Sequence, residues 1–164
     1  MELGLLESLD DLKKLLVLGP SFRRRMDPGP LQAIQRFDGL FYRVARKYLQ
    51  KARDVDVLIM KDDLTLVDEE TLLPYNPPEG ESWGKHSVPE EAVEKARKSN
   101  ESVLSEKLKS GRYSEVFLAM GKKYAEAFPD ISRLKVKVVF PATGGPGPKA
   151  QALKEWIRRG RINT

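Results

Sequence analysis

Four short apolar runs, each bounded by turn-forming or charged residues, constrain the fold of this chain more than any other feature. They cover residues 15–18, 55–59, 116–120 and 134–140. Segments between them carry apolar residues at helical spacing. Strands that are apolar throughout, separated by helices, are typical of a parallel sheet covered by helices on both faces. The sequence therefore predicts a three-layer α/β sandwich with a mostly parallel central sheet of about four to five strands.

The helical segments are recognised by apolar residues at intervals of three and four. This spacing runs from Leu40 to Leu49 and from Val93 to Leu108, and it returns after Lys149,. Asn100 falls on the apolar face of the second segment and is expected to be a hydrogen-bonded polar group at the core edge. The first segment carries four cations on its other side, as a solvated helix face ordinarily does: Arg43, Arg46, Lys47 and Lys51,.

The absence of cysteine and the single histidine, His86, exclude several kinds of site. Disulfides, thiol nucleophiles, Cys/His zinc sites and iron–sulfur clusters cannot be built from such a composition. No metal site is predicted. His86 lies in a polar stretch rich in proline and glycine, which is a poor setting for a Ser-His-Asp triad.

Length and hydropathy favour one domain, residues 1–164, without a membrane segment,. No stretch approaches the roughly 18 apolar residues that a membrane span needs. The acidic start, Met1-Glu2-Leu3-Gly4, lacks the basic and apolar parts of a signal peptide, so we expect a cytoplasmic protein,.

A net charge of +5 and an isoelectric point near 9.4 favour acidic partners. Nucleic acid, either tRNA or DNA, and phosphorylated small molecules are the partners that such a charge attracts. The alternative is a charge-rich surface of the kind that thermophile proteins often show.

The loops that follow the predicted strands are the expected place for a site. Ligands of open α/β sheets bind outside the carboxyl ends of the strands, and right-handed crossovers bring these loops to one edge. The loops are residues 19–30, 60–64, 121–122 and 142–149, and three of them combine glycine with lysine or arginine. Side chains and glycines that could converge there on an oxyanion are Ser21, Arg23, Arg24, Gly121, Lys122, Gly144, Gly145, Gly147 and Lys149.

The last of these loops is a glycine-rich turn between a strand and a helix. Free backbone N–H groups and the helix dipole could make it an anion cradle, although Pro146 and Pro148 remove two donors,. The alternative is that the glycines only form tight turns. No G-x-x-x-x-G-K-[ST] and no G-x-G-x-x-G after the first strand occurs, so a nicotinamide cofactor is not expected and no cofactor is predicted,.

Groups for acid–base catalysis are few. The candidates are Tyr75, Tyr124, Asp27, Asp38, Asp62, Asp63 and Glu79, and their spacing singles out no pair,. Asp62 and Asp63, which follow the second strand, are the best placed of the carboxylates. Adjacent residues at a strand end point in different directions, so we do not expect Asp62 and Asp63 to bind a metal together.

Short segments along the chain follow the order of a known family pattern. The family opens with a Pro-Cys-Ser-x-x-Lys loop, where this chain has Pro20 before Ser21 and Arg24 three residues later. Asp63 stands where the family usually has lysine. The other matching segments are Phe37-Asp38-Gly39, Leu40-Phe41-Tyr42-Arg43, Lys61 to Leu66, Pro74-Tyr75, Gly121-Lys122-Lys123-Tyr124, Gly144-Gly145-Pro146-Gly147 and Gln151.

From Leu15 to Ile157, the chain resembles a family of small α/β proteins related to the peroxide-stress YaaA proteins and to a domain of the archaeosine synthases. The resemblance implies a link to nucleic acid or nucleobase chemistry. It also places Asp63 and Tyr75 among the ligand-binding residues.

Three functions remain open from the sequence. The first is binding of nucleic acid or a nucleotide-like phosphorylated ligand at the basic edge of the sheet. The second is an enzyme acting on nucleobases or nucleosides, with Tyr75 or an aspartate as the acid–base group. The third is a non-catalytic subunit that uses the proline-rich loop, residues 72–87, and Trp156 at an interface.

Overall fold

The chain folds around a five-stranded sheet in the computed structural model, which describes residues 12–21, 23–76, 89–141 and 144–159. The strands are β1 (Lys13–Leu18), β2 (Leu31–Gln32), β3 (Val55–Met60), β4 (Leu66–Asp68), β5 (Leu72–Leu73), β6 (Tyr113–Ala119) and β7 (Lys137–Val139). The helices are α1 (Ala33–Arg36), α2 (Leu40–Leu49), α3 (Glu90–Leu108), α4 (Lys122–Ala125) and α5 (Pro146–Arg158), with a 3-10 turn at Ser132–Leu134.

The sheet has the order β4-β3-β1-β6-β7 and is parallel except for β4. β1 lies at its centre, where Leu16 is level with Val57 of β3 and with Phe117 of β6. β2 and β5 form a separate antiparallel pair. The predicted mostly parallel sheet is therefore confirmed.

Consecutive side chains of β1 enter two different cores. Leu15 and Val17 pack with the apolar face of α3, whereas Leu16 and Leu18 pack with α2 and α5 on the opposite face. Side chains of a strand alternate between faces, so a strand covered on both sides must be apolar at every position. These two cores make the protein a three-layer α/β sandwich, as the sequence predicts.

The last strand differs from the prediction. The expectation of a buried strand over residues 134–140 is wrong, because β7 spans only Lys137–Val139 and Val138 is 41% exposed. Leu134 lies in the 3-10 turn, and Lys135 adopts a left-handed conformation with φ of 57°. Among the described strands, β7 pairs with β6 alone, so its side chains lack the cover that a central strand receives.

Two other features of the chain are only partly described. Of the proline-rich segment 72–87, the structure describes residues 72–76, which include β5. The single histidine, His86, lies outside the described residues. Across the described parts of the chain, no helix has both the length and the apolar character needed to cross a membrane.

Asn100 joins α3 to the loops on either side of it. Its Oδ1 accepts the Leu66 N–H at 2.9 Å, and its Nδ2 donates to the carbonyls of Leu64 at 2.9 Å and Ala127 at 3.1 Å. The residue is fully buried. The expectation of a hydrogen-bonded polar group is confirmed, and the contacts show that it fixes three backbone positions.

We expect Asn100→Ala to lower the free energy of unfolding by about 2–4 kcal/mol, because each buried backbone group left unpaired costs about 1–3 kcal/mol. Urea unfolding followed by circular dichroism measures this loss. Ser99→Ala, at an exposed position of the same helix, is the matched control and should change stability little. Equal stability of the two variants would contradict the role given to Asn100.

Candidate functional site

The candidate site lies where the loops after β1 and β6 leave the sheet in opposite directions. β1 leads to β3 on one side, and β6 leads to β7 on the other, so the two carboxyl ends form the topological switch point of the sheet,. Gly19 closes this point, since its N–H donates to the Ala119 carbonyl at 3.0 Å. The buried Tyr42 hydroxyl donates to the Gly19 carbonyl at 2.7 Å.

Gly19 is required by close approach to β6. A Cβ atom at this position would lie 2.5 Å from the Cβ of Met120. Real Cβ atoms do not approach so closely, so the two loops meet this tightly only because residue 19 has no side chain.

Arg24 ties the loop after β1 to the loop after β3. Its guanidinium forms a two-point ion pair with Asp62, at 2.7 Å and 3.2 Å, and donates to the Ser21 carbonyl at 2.6 Å. The side chain is only 4% exposed and lies over the Phe37 ring at 4.9 Å. Arg24 is thus a structural link within the edge, because its donors are directed at protein acceptors.

Arg36 organises the rest of the first loop. It is 1% exposed and donates five hydrogen bonds to the backbone carbonyls of Arg25, Asp27, Gly29 and Leu73. A planar guanidinium with five donors suits such a ring of acceptors. The Arg36 side chain therefore connects the loop after β1 to the start of the proline-rich segment.

Three guanidinium groups surround one carboxylate at the start of α2. Arg46 donates to Asp38, Arg43 lies 3.3 Å from it, and Arg23 lies 3.8 Å from it. We call Arg23, Arg43 and Arg46 the arginine cluster. Burial raises the pKa of Asp38, but hydrogen bonds from Arg43 and Arg46 outweigh it and hold that pKa below its usual value. The carboxylate is ionised at neutral pH and balances one of the three cations.

The sequence predicts that the basic face of α2 is solvated, but its cations differ in exposure. Arg46 is half-buried and also donates to the carbonyls of Ile34 and Phe37, both at 2.9 Å. Arg43 and Arg23, in contrast, are 48% and 69% exposed. Arg46 holds the chain in place, and the other two cations face solvent.

A small polar cleft of about 200 Å³ lies beside the Arg24–Asp62 pair. Asp63 borders it, but its Oδ1 accepts the N–H and hydroxyl of Thr65 at 3.0 Å and 2.6 Å. These bonds, with Lys61 3.7 Å away, hold the pKa of Asp63 below its usual value even though burial raises it. Asp62 and Asp63 therefore serve different partners, as expected, and among the described residues no acidic or histidine cluster could hold a metal ion.

Two phenols near the edge, those of Tyr42 and Tyr124, are poorly suited to proton transfer at neutral pH. Burial raises the pKa of Tyr42 well above its ordinary value and raises that of Tyr124 as well, with Asp62 adding to both. Tyr75 lies with its ring 5.7 Å from the Arg36 guanidinium.

The residues predicted for the site lie after strands β1, β3, β5 and β6 and at the start of α5. They fall into two groups. Ser21, Arg23, Arg24, Asp63 and Tyr75 lie around the loops that Arg24 and Arg36 hold together. The second group follows β6 or lies at the start of α5: Gly121, Lys122, Gly144, Gly145, Gly147 and Lys149. Convergence of both groups on one ligand stays a prediction.

The predicted anion cradle at α5 has few donors. Gly145 caps the helix, and Pro146 and Pro148 occupy its first turn. Gly147 is the one residue between them that retains an N–H. The two prolines leave the turn fewer donors than a proline-free phosphate loop would have, and its role as an anion cradle stays a prediction,.

Sequence reasoning missed Arg36 and the full arginine cluster. In the sequence, Arg36 cannot be distinguished from any other cation of a short helical segment. Its acceptors are backbone carbonyls, which every residue has, so no sequence pattern indicates them. A signal did exist for the cluster, since Arg43 and Arg46 follow Asp38 by five and eight residues, on one side of the helix start,.

No family model matches this chain, and comparisons with curated proteins and with solved structures give no match. The resemblance to the YaaA-related family therefore stays a prediction.

We expect Gly19→Ala to lower the free energy of unfolding by about 1–3 kcal/mol, as overpacking commonly does, because its methyl group meets Met120,. Thermal or urea unfolding measures the loss. Gly147→Ala is the matched control and should not lower stability, since its Cβ would meet no atom within 4 Å and it lies within α5. A stable Gly19→Ala protein would show that the two loops do not meet as tightly as described.

Asp38 should contribute stability that depends on pH. Its folded pKa is depressed, so its contribution is fully present above the unfolded pKa of about 3.9 and is lost as pH falls through the folded pKa,. The stability difference between wild type and Asp38→Asn should therefore be constant above about pH 5 and shrink below about pH 4. Urea unfolding at several pH values measures it, and a difference that does not change with pH would contradict the assignment.

Proposed function

We propose that the protein binds nucleic acid, or a nucleotide-like phosphorylated ligand, through the arginine cluster at the carboxyl edge of its sheet. The observation that carries the proposal is the charge imbalance there, with three guanidinium groups around the single carboxylate of Asp38. Two of them, Arg23 and Arg43, are largely exposed. Guanidinium groups recognise phosphate through parallel N–H donors, which supports a phosphate as the ligand group.

The cluster is arranged before any ligand arrives. Arg46 is fixed by two backbone carbonyls and donates to Asp38, and Asp38 also accepts from Arg43 at 3.3 Å. A binding site whose side chains are already ordered loses less conformational entropy on binding. The competing attraction of Asp38 for Arg23 is weak, because their 3.8 Å separation lies at an exposed position where ion pairs contribute little,.

Binding is better supported than catalysis. Asp62 pairs with Arg24, Asp63 is bonded to Thr65, and burial raises the pKa of the phenols of Tyr42 and Tyr124. Groups so engaged are poor general acids or bases near neutral pH. Binding of tRNA or DNA is also consistent with the cytoplasmic location expected from the sequence.

We expect Arg23→Gln/Arg43→Gln to weaken nucleic-acid binding and reduce its salt dependence. Each phosphate contact contributes about 0.7–0.9 to the slope of log K against log salt, so the slope should fall by about 1.5. Fluorescence anisotropy with labelled tRNA and duplex DNA, between about 50 mM and 200 mM salt, measures both quantities.

The matched control is Lys109→Gln/Arg112→Gln, which removes the same charge from exposed positions before β6, at the opposite edge of the sheet. The control should retain most of the affinity. Equal losses in the two double variants would mean that net charge rather than the arginine cluster attracts the ligand, and no binding at low salt would remove the proposal.

A further inference from the structure

A shallow groove separates the exposed surfaces of α2 and α5, and it begins at the arginine cluster. Its floor is formed by Leu40 and Val44 of α2 and by Gly147 and Ala150 of α5, and its volume is about 330 Å³. Leu40 is 47% exposed, which is unusual for a leucine of an amphipathic helix. The volume is at the small end of the roughly 300–1,000 Å³ of ligand pockets. We call it the α2–α5 groove.

The groove has a cationic rim. Arg43, Lys47 and Lys154 line it, and the described residues that border it include no carboxylate. Two acids contact bordering side chains: Asp38 lies 3.3 Å from Arg43, and Glu155 accepts from the Gln151 amide at 3.2 Å. An apolar floor inside a positive rim fits a ligand that combines negative charge with apolar faces.

An aromatic ring lies among these cations. The ammonium groups of Lys154 and Lys47 are 5.3 Å and 5.4 Å from the centre of the Tyr48 ring. Aromatic side chains interleaved with cations are the usual platform for unpaired bases, which stack on the ring while their phosphates lie on the cations.

The groove and the arginine cluster form one surface because Arg43 belongs to both. It lies 3.3 Å from Asp38 in the cluster and also lines the groove. A chain whose phosphates contact Arg23 and Arg43 would therefore place its next unit over Leu40 and Val44. In a duplex the bases are stacked inside and only phosphates and groove edges face outward, so the apolar floor would stay unused.

We propose that the α2–α5 groove receives unpaired bases of a single-stranded nucleic acid whose phosphates lie on the arginine cluster. The inference rests on the proposed function and narrows its ligand class. An acidic protein segment with apolar side chains has similar complementarity. The planar guanidinium groups of the cluster and the lysine-flanked tyrosine favour the nucleic acid.

The test compares a labelled oligothymidylate with a labelled duplex of equal length, using the full chain and fluorescence anisotropy at low salt. Wild-type protein should bind the single strand more tightly. Tyr48→Leu and Leu40→Ser should each weaken single-strand binding about fivefold or more, as loss of base stacking does, and leave duplex binding within about twofold. Leu72→Ser removes a leucine that is 61% exposed and lies outside the groove, so it should leave both affinities unchanged.

Leu40→Ser decides the matter if Tyr48→Leu fails to fold, because position 40 is already exposed. One result would overturn this inference and leave the proposed function standing. In that result both oligonucleotides bind with equal affinity, Leu40→Ser does not change the affinity, and Arg23→Gln/Arg43→Gln abolishes binding. No binding of either oligonucleotide would overturn this inference together with the nucleic-acid form of the proposed function. Binding of an acidic leucine-containing peptide, lost in Leu40→Ser, without oligonucleotide binding would assign the groove to a protein partner.

Discussion

The structure depends on the position of β1 between two parallel neighbours. β1 is covered by helices on both faces, so each of its last four residues must be apolar and must fit one of two different cores. The same position brings the ends of β1 and β6 together, and Gly19 allows them to meet. This packing positions the edge of the sheet that carries Arg23, Arg24 and the start of α2. The candidate site lies at that edge.

Sequence reasoning predicts the parts of the fold that are buried on two sides or are long and periodic. The central strands and the helices α2, α3 and α5 are of this kind, and their positions agree with the apolar patterns. β2, β4, β5 and β7 are only two or three residues long. Such strands are too short to show a period, and β7 lies at an edge where burial imposes no pattern, so its length and exposure could not be predicted.

The site is predictable in location but not in the roles of its cations. Parallel topology places the loops at one edge, which is why Ser21, Arg23 and Arg24 were identified. Five of the six arginines from residue 23 to residue 46 nonetheless have different roles: Arg24 and Arg36 are buried links, Arg46 is an anchor, and Arg23 and Arg43 face solvent. The difference comes from acceptors on distant loops and from backbone carbonyls, neither of which a local sequence pattern encodes.

The way Arg36 is bonded has a consequence for how this edge can evolve. Its acceptors are carbonyl oxygens of the main chain, at Arg25, Asp27, Gly29 and Leu73, and every residue type supplies such an oxygen. Gly29, with a φ of 82°, needs its own residue type, whereas the side chains of Arg25 and Asp27 pair with each other at exposed positions, where an ion pair contributes little,. The side chains at positions 25 and 27 could therefore differ between related proteins while the loop keeps its shape. Such differences would change which ligands this edge prefers.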